Sequence, residues 1–334
     1  MAKNKKKKKH FLYSLFNPAY DGKGVPKKNF DPDAPRNLFL FFKMFWRNIS
    51  NLFTLNMIAV LGNFPVLIFM FGLSGNLNIE VQTASSLQYG AFYGVFHNMP
   101  LSPASGSLLG VYGIPAAKQI LTPATYVMFA LGALVLLTFG PVRAGVTVVL
   151  RNIVRGEPLF LWHDFTKAVK RNWKQALILG IIDLIASALF IFDIIFFLAN
   201  AGSFSWNMML AAMVVIFIYY TMMRFYMYPI IVTFDLKLIK VFKNSLILAL
   251  LNFKRNIAAV LGIGALLFFN YYVFLLSMPL GIMVPFVILF AAEMFMGIYA
   301  AWPKIKETMI DPFDSGTPDE PAPPPEEPVF RDMG

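Results

Sequence analysis

The sequence predicts an all-α, polytopic transmembrane helical bundle of about six spans, and three observations carry that expectation. Hydrophobic residues make up 57% of the 334-residue chain and charged residues only 14%, against about 25% charged in an ordinary soluble domain; mean hydropathy is +0.61. Six apolar stretches are each long enough to cross a hydrocarbon core of about 30 Å, which takes roughly 20 helical residues. Lys and Arg are gathered between alternate stretches, the asymmetry that membrane insertion imposes. A soluble domain built on a single core is excluded.

The stretches lie near 51–73, 124–148, 176–199, 208–230, 257–279 and 281–302. Only Ser277-Met278-Pro279-Leu280-Gly281 separates the last two, so a kinked helix or a re-entrant hairpin competes with a turn there; Pro279 and Gly281 favour the turn. Around the transmembrane domain, taken as 37–305, the sequence predicts a basic tail over 1–36 and an acidic, Pro-rich, disordered tail over 306–334. The oligo-Lys at 3 and 5–9 is followed by mixed-polarity sequence rather than an apolar run, so no cleavable signal is expected. That run reads as a tail attracted to an anionic membrane surface, without specific nucleic-acid recognition.

Charge sets the predicted orientation. Residues 1–50 hold 12 Lys/Arg, 151–175 hold six and 231–256 hold five, whereas 74–123 hold one, Lys118. Positively charged connections stay in the cytoplasm, which places both termini inside and 74–123 outside. This long loop is rich in Gly, Ser, Asn and Gln, and its apolar runs at 87–96 and 108–114 are too short to span. It reads as an external loop resting on the helix ends, or as a lid over an outward-facing cavity.

One local pattern occurs three times. Phe45-Trp46-Arg47-Asn48-Ile49, Lys170-Arg171-Asn172-Trp173-Lys174 and Phe253-Lys254-Arg255-Asn256-Ile257 each precede an odd-numbered span. Before each Arg-Asn, apolar residues recur at helical spacing: Leu38, Phe41, Phe42 and Phe45; Trp162, Phe165, Val169 and Trp173; Leu238, Phe242, Leu246 and Ala249. Such helices lie in the membrane interface. The even-numbered spans carry Pro141, Pro229 and Pro303. One reading is a threefold repeat of interfacial helix and helical hairpin; the other is the ordinary aromatic and cationic anchoring of any span.

Charges within spans are costly and mark either structural pairs or a functional path. Arg143, Asp183, Asp193, Arg224 and Glu293 qualify. Arg143 and Asp183 form the first expected pair, because a short connection joins their spans. The competing reading has Asp183 and Glu293 lining a cavity and carrying a proton or cation. Asn63 and Asn270 read as helix-helix hydrogen bonds. The chain has no Cys and three His, at 10, 97 and 163, so it offers no metal-ligand spacing, no thiolate and no Ser-His-Asp set; no enzyme activity, cofactor or metal is expected.

Three blocks carry a resemblance. They are Gly22-Lys23-Gly24-Val25-Pro26-Lys27; Asn51-Leu52-Phe53 with Asn63-Phe64-Pro65; and Gly140-Pro141 with Leu150-Arg151-Asn152-Ile153-Val154-Arg155-Gly156-Glu157, Trp162-His163-Asp164-Phe165 and Lys170-Arg171-Asn172-Trp173-Lys174-Gln175-Ala176. Over about positions 20–305 the chain resembles the YesL-like bacterial membrane proteins, a family of unknown function, and the third block is the specific one. The resemblance implies a small plasma-membrane bundle with an accessory or regulatory role beside sugar-uptake systems; it carries over no catalytic or binding residues. The expected function is therefore non-enzymatic binding of sugar-transporter subunits, with a small-solute transporter using intramembrane carboxylates as the alternative, and a homo-oligomer is compatible with either. The cytoplasmic interface is expected at Arg151, Arg155, Trp162, Asp164, Phe165, Arg171, Asn172, Trp173, Arg255 and Asn256.

Overall fold

The computed structural model describes residues 37–83, Pro103 and 116–314. The predicted basic tail, the apolar runs of the long loop and the Pro-rich segment 318–328 lie outside the described residues. In chain order the elements are α1 (Leu38–Arg47), α2 (Ile49–Gly62), α3 (Pro65–Leu73), β1 (Ile79–Thr83), β2 (Ala116–Ile120), α4 (Pro123–Gly132) and α5 (Val135–Arg155). There follow α6 (Leu161–Ala199), α7 (Phe204–Thr233), α8 (Leu238–Leu251), α9 (Phe253–Leu276), α10 (Met278–Val284), a π-helical turn (Pro285–Leu289), α11 (Phe290–Met309) and α12 (Asp311–Asp314). Among the described residues five helical stretches are long and apolar enough to cross a bilayer, and the interrupted pair α2 and α3 makes a sixth when counted as one.

The chain divides into two compact units, Asn63–Leu137 and the remainder. In the smaller unit α3 and α4 pack at two glycines. A Cβ on Gly72 would meet the Phe129 ring at 3.0 Å, and one on Gly132 would meet the Phe69 backbone at 2.8 Å. The expected irregular loop contains a two-stranded antiparallel ribbon instead, pairing Ile79 with Ile120 through Thr83 with Ala116. Thr122 closes its base: the hydroxyl donates to the Leu77 carbonyl at 2.8 Å and caps α4 by accepting the Thr125 amide at 3.3 Å. The apolar, β-branched character of Ile79 and Val81 is too short a signal to read as a strand inside a helical protein.

The larger unit buries its core toward the end that carries the Lys and Arg connections. Ala144–Val154 of α5, Met222–Val232 of α7 and Ala291–Ile305 of α11 supply most of the buried residues. Far along α6 and α9 the apolar side chains, among them Leu189, Phe192, Phe268 and Leu275, stay open. In hydrocarbon such faces need no cover, because lipid is as apolar as the side chains themselves. The turn before α10 is real: α9 ends at Leu276, and a Cβ on Gly281 would come within 2.3 Å of Phe274 Cα, so only glycine lets the two helices fold back this tightly.

Several expectations are corrected. The second interfacial helix is not separate; residues 161–175 begin a single 39-residue helix, α6. Each of α1 and α8 packs on the larger unit through part of its surface and leaves apolar residues of the expected interfacial face open. Phe41 and Met44 are buried in α1 while Leu38 and Phe42 are open, and α8 buries Val241, Ser245, Leu248 and Ala249. The last span continues to Met309, past the expected boundary at 305, and α12 follows.

The last span breaks at Pro285–Leu289, where a π-helical turn misaligns the backbone ladder. Asn56 of α2, fully buried, repairs it: Nδ2 donates to the Pro285 and Phe286 carbonyls at 2.8 Å each, and Oδ1 accepts the Ala291 amide at 3.0 Å. Replacing Asn56 by Ala removes a hydrogen bond from three backbone groups, one buried and two half-buried, and is expected to lower the unfolding free energy in micelles by roughly 2–4 kcal/mol; an unchanged denaturation midpoint contradicts the repair role.

Candidate functional site

Helices α5 and α6 approach closely because Gly140 faces Gly180 and Ala176. A Cβ on Gly140 would lie 1.9 Å from the Ala176 carbonyl oxygen, and one on Gly180 would lie 2.4 Å from Gly140 Cα. Small residues that let helix backbones touch are the common device for packing helices in membranes. Arg143 and Asp183 each sit three residues beyond their glycine. The two helices run antiparallel, and helical side chains tilt back toward their own N-terminus. Both side chains therefore lean toward the crossing and meet there, with Arg143 Nη1 3.5 Å from Asp183 Oδ2.

Helix α7 completes the site with a stripe at i, i+4 and i+8: Tyr220, Arg224 and Tyr228. Arg224 Nε stands 2.8 Å from Asp183 Oδ1. The Tyr220 hydroxyl donates to Oδ1 at 2.8 Å and the Tyr228 hydroxyl to Oδ2 at 3.1 Å, with Ser187 Oγ at 3.5 Å from Oδ1. The Arg143 guanidinium also lies 5.0 Å from the centre of the Tyr228 ring. The Asp183 side chain has no exposed surface. An uncompensated charge in such surroundings costs several kcal/mol, and both carboxylate oxygens are occupied by cations and phenols. Half-buried Glu293, at the start of α11, acts electrostatically on Arg224. Asp193 lies ten residues further along α6, and among the described residues it has no ion pair.

At the basic end the predicted interface residues divide. Helix α5 closes in a Schellman motif on Gly156, at φ +72°, with the Glu157 amide bonded to the Asn152 carbonyl and the Gly156 amide to that of Ile153. Arg155 pairs with Glu157 at 2.7 Å. Arg151 donates to Thr233 Oγ1 at 3.0 Å and Asn152 Oδ1 at 3.1 Å, while Arg171 donates to the Val232 carbonyl at 2.7 Å. Two guanidiniums thus hold the last turn of α7, where free carbonyls and the helix dipole favour cations. Asp164 accepts the Phe160 amide at 3.1 Å and caps the start of α6, and Phe165 covers Gly145. Apart from Arg171, which is both bonded to α7 and exposed, these residues join helices rather than present a surface. Trp162, Arg171 and Trp173 remain exposed.

Asn256 is corrected outright, because it is fully buried. It accepts the Tyr226 hydroxyl at 2.9 Å and donates to the Ala249 carbonyl at 2.9 Å, while Asn252 reaches Tyr226 and the Ala300 carbonyl at 3.0 Å each. The three Arg-Asn copies share one device: each Asn amide donates to a carbonyl of the preceding amphipathic segment. The acceptors are Met44 at 2.9 Å, Ala168 at 3.1 Å and Ala249 at 2.9 Å. The break between interfacial helix and span falls at Asn48 in the first copy, at Asn252 in the third and nowhere in the second. Arg255 is half-buried beside this knot. Sequence reasoning passed over Tyr220, Tyr228 and Asn56; the polar stripe on α7 was the signal available for the two tyrosines.

A family model described as "Protein of unknown function, DUF624" matches residues 120–194. The matched residues hold Gly140, Arg143, Gly180 and Asp183, and so one half of the ion cluster; Tyr220, Arg224 and Tyr228 lie beyond them. No curated protein and no solved structure matches the chain.

Asp183→Asn leaves two largely buried guanidiniums against a neutral amide and is expected to destabilise the folded protein by about 3–5 kcal/mol. Asp193→Asn, with no ion pair to lose among the described residues, is expected to change stability by less than about 0.5 kcal/mol. Chemical denaturation of the two variants in the same micelles compares them directly, and equal effects contradict the assignment.

Proposed function

We propose that this protein is a non-enzymatic integral membrane protein of the YesL-like kind, working in a bacterial plasma membrane as an accessory or regulatory partner of a carbohydrate uptake system. The observation that carries the reading is the state of Asp183. A carboxylate that couples transport must exchange partners with water or cargo, whereas this one is unexposed and held by two arginines and two tyrosines. The cluster is read as a structural lock. What remains open for recognition is the start of α6, where Phe160 is 63% and Trp162 65% exposed beside the exposed Lys167. Exposed Trp with a basic neighbour is the composition of binding hot spots. The sugar link rests on the resemblance of the third sequence block, supported by the unknown-function family match over 120–194, and the cytoplasmic position of this end rests on the Lys/Arg asymmetry.

A small-solute transporter is the second reading. Glu293 favours it, since this half-buried carboxylate sits just past the π-helical break in the last span, and such breaks recur at functional sites.

Affinity purification of the tagged full chain in mild detergent separates the two. Recovery of sugar-permease subunits, reduced at least tenfold by Trp162→Ala, is the expected result. A chain that purifies without them and moves solute in liposomes contradicts the accessory role.

A further inference from the structure

Four described cations of the larger unit are held in ion pairs with carboxylates, and three others gather at one place on its surface. Arg143 and Arg224 are paired with Asp183, Arg155 with Glu157 and Lys304 with Glu307. Lys170, Arg171 and Lys174 are exposed, and among the described residues none of the three has an ion pair. They converge on one cleft of about 580 Å³ between α6 and the end of α7, whose lining includes Trp173 and a single carboxylate, Asp235. That size is in the range of sites for small ligands, roughly 300–1,000 Å³. Lys170 and Lys174 are one helical turn apart on α6. Arg171 is anchored by one Nη2 bond to the Val232 carbonyl, which fixes the guanidinium while other donors stay open.

Depth narrows the ligand. Lys174 is the last cation before the apolar run that contains Asp183, and it lies about 14 Å from Asp183 along the helix. Trp173, 51% exposed with the Lys174 ammonium 5.8 Å from its ring centre, marks the membrane boundary, where indoles settle at headgroup level. A cleft at that level meets the phosphates of the bilayer itself. Three unpaired cations facing one carboxylate favour a headgroup with net negative charge and oppose one that also carries a quaternary ammonium. Basic pockets between transmembrane helices are built for such headgroups.

We propose that the cleft lined by Lys170, Arg171, Trp173 and Lys174 binds the phosphate of an anionic phospholipid. The site uses different residues from Phe160 and Trp162, so it stands whether or not the accessory reading holds.

The test uses the full chain in maltoside micelles, titrated separately with dihexanoyl phosphatidylglycerol, dihexanoyl phosphatidylcholine and inorganic phosphate. Tryptophan emission is the readout, with Trp173→Phe as the blank, and native mass spectrometry counts retained lipid. Phosphatidylglycerol is expected to saturate a Trp173-dependent signal and to appear as a retained adduct, while phosphatidylcholine does neither. The double variant Lys170→Gln, Lys174→Gln is expected to bind phosphatidylglycerol about tenfold more weakly or worse, with an unchanged melting temperature. Equal saturation by phosphatidylcholine, undiminished binding by the double variant, or neither signal nor adduct overturns the proposal. Saturation by inorganic phosphate at lower concentration than by phosphatidylglycerol assigns the cleft to a soluble phosphate and overturns the lipid assignment.

Discussion

A carboxylate with no exposed surface inside a bundle of lipid-facing helices must be compensated by its neighbours, and the packing around Asp183 follows from that requirement. Three helices are committed to it: α6 carries the carboxylate, α5 brings Arg143, and α7 brings Arg224 between two tyrosines. In hydrocarbon there is no hydrophobic drive to bring helices together, so close packing and interhelical polar contacts must do it. Gly140 and Gly180 supply the first and Asp183 the second, one helical turn apart. Glycine at the crossing is therefore an electrostatic necessity as well as a steric one. A side chain there would push α5 away from α6 and leave Arg143 short of its partner.

The same logic orders the rest of the larger unit. Several of its polar contacts gather toward the basic end: the Arg151 and Arg171 caps on α7 and the Tyr226–Asn252–Asn256 knot. Away from that end the helices rely on lipid to cover their apolar flanks. The exposed Phe160 and Trp162 and the Lys170–Lys174 cleft lie at this braced end. Precision at a binding surface is easier to hold on rigid elements than on loose ones, and this is where both an accessory partner and a lipid headgroup would be met.

The architecture was largely legible in the sequence because hydrophobic length and Lys/Arg placement are strong, local signals. Five long spans, the turn at Ser277 and the pairing of Arg143 with Asp183 needed nothing more, while the first expected span is a bent pair of shorter helices. What escaped depended on partners far apart in the chain. Tyr220 and Tyr228 look like ordinary aromatic residues of a span until Asp183 is placed beside them, and Asn56 has no evident task without the π-helical turn at Pro285. Asn256, marked as an interface residue by its Arg-Asn neighbours, turned inward because Tyr226 offered it a buried partner. The ribbon of β1 and β2 was missed because five-residue strands give too short a period to stand out beside helices. In the predicted interface, charge told which end of the bundle the residues occupy but not whether they face a neighbouring helix or the outside.

The central claim is that Asp183 and Arg224 stabilise the bundle through each other. A double-mutant cycle of Asp183→Asn, Arg224→Gln and the combined variant, measured by chemical denaturation of the full chain in micelles, isolates that coupling. The account predicts that the combined variant is more stable than the sum of the two single losses requires, by about 2 kcal/mol or more. Strictly additive losses would show that the two side chains do not depend on one another and would contradict it.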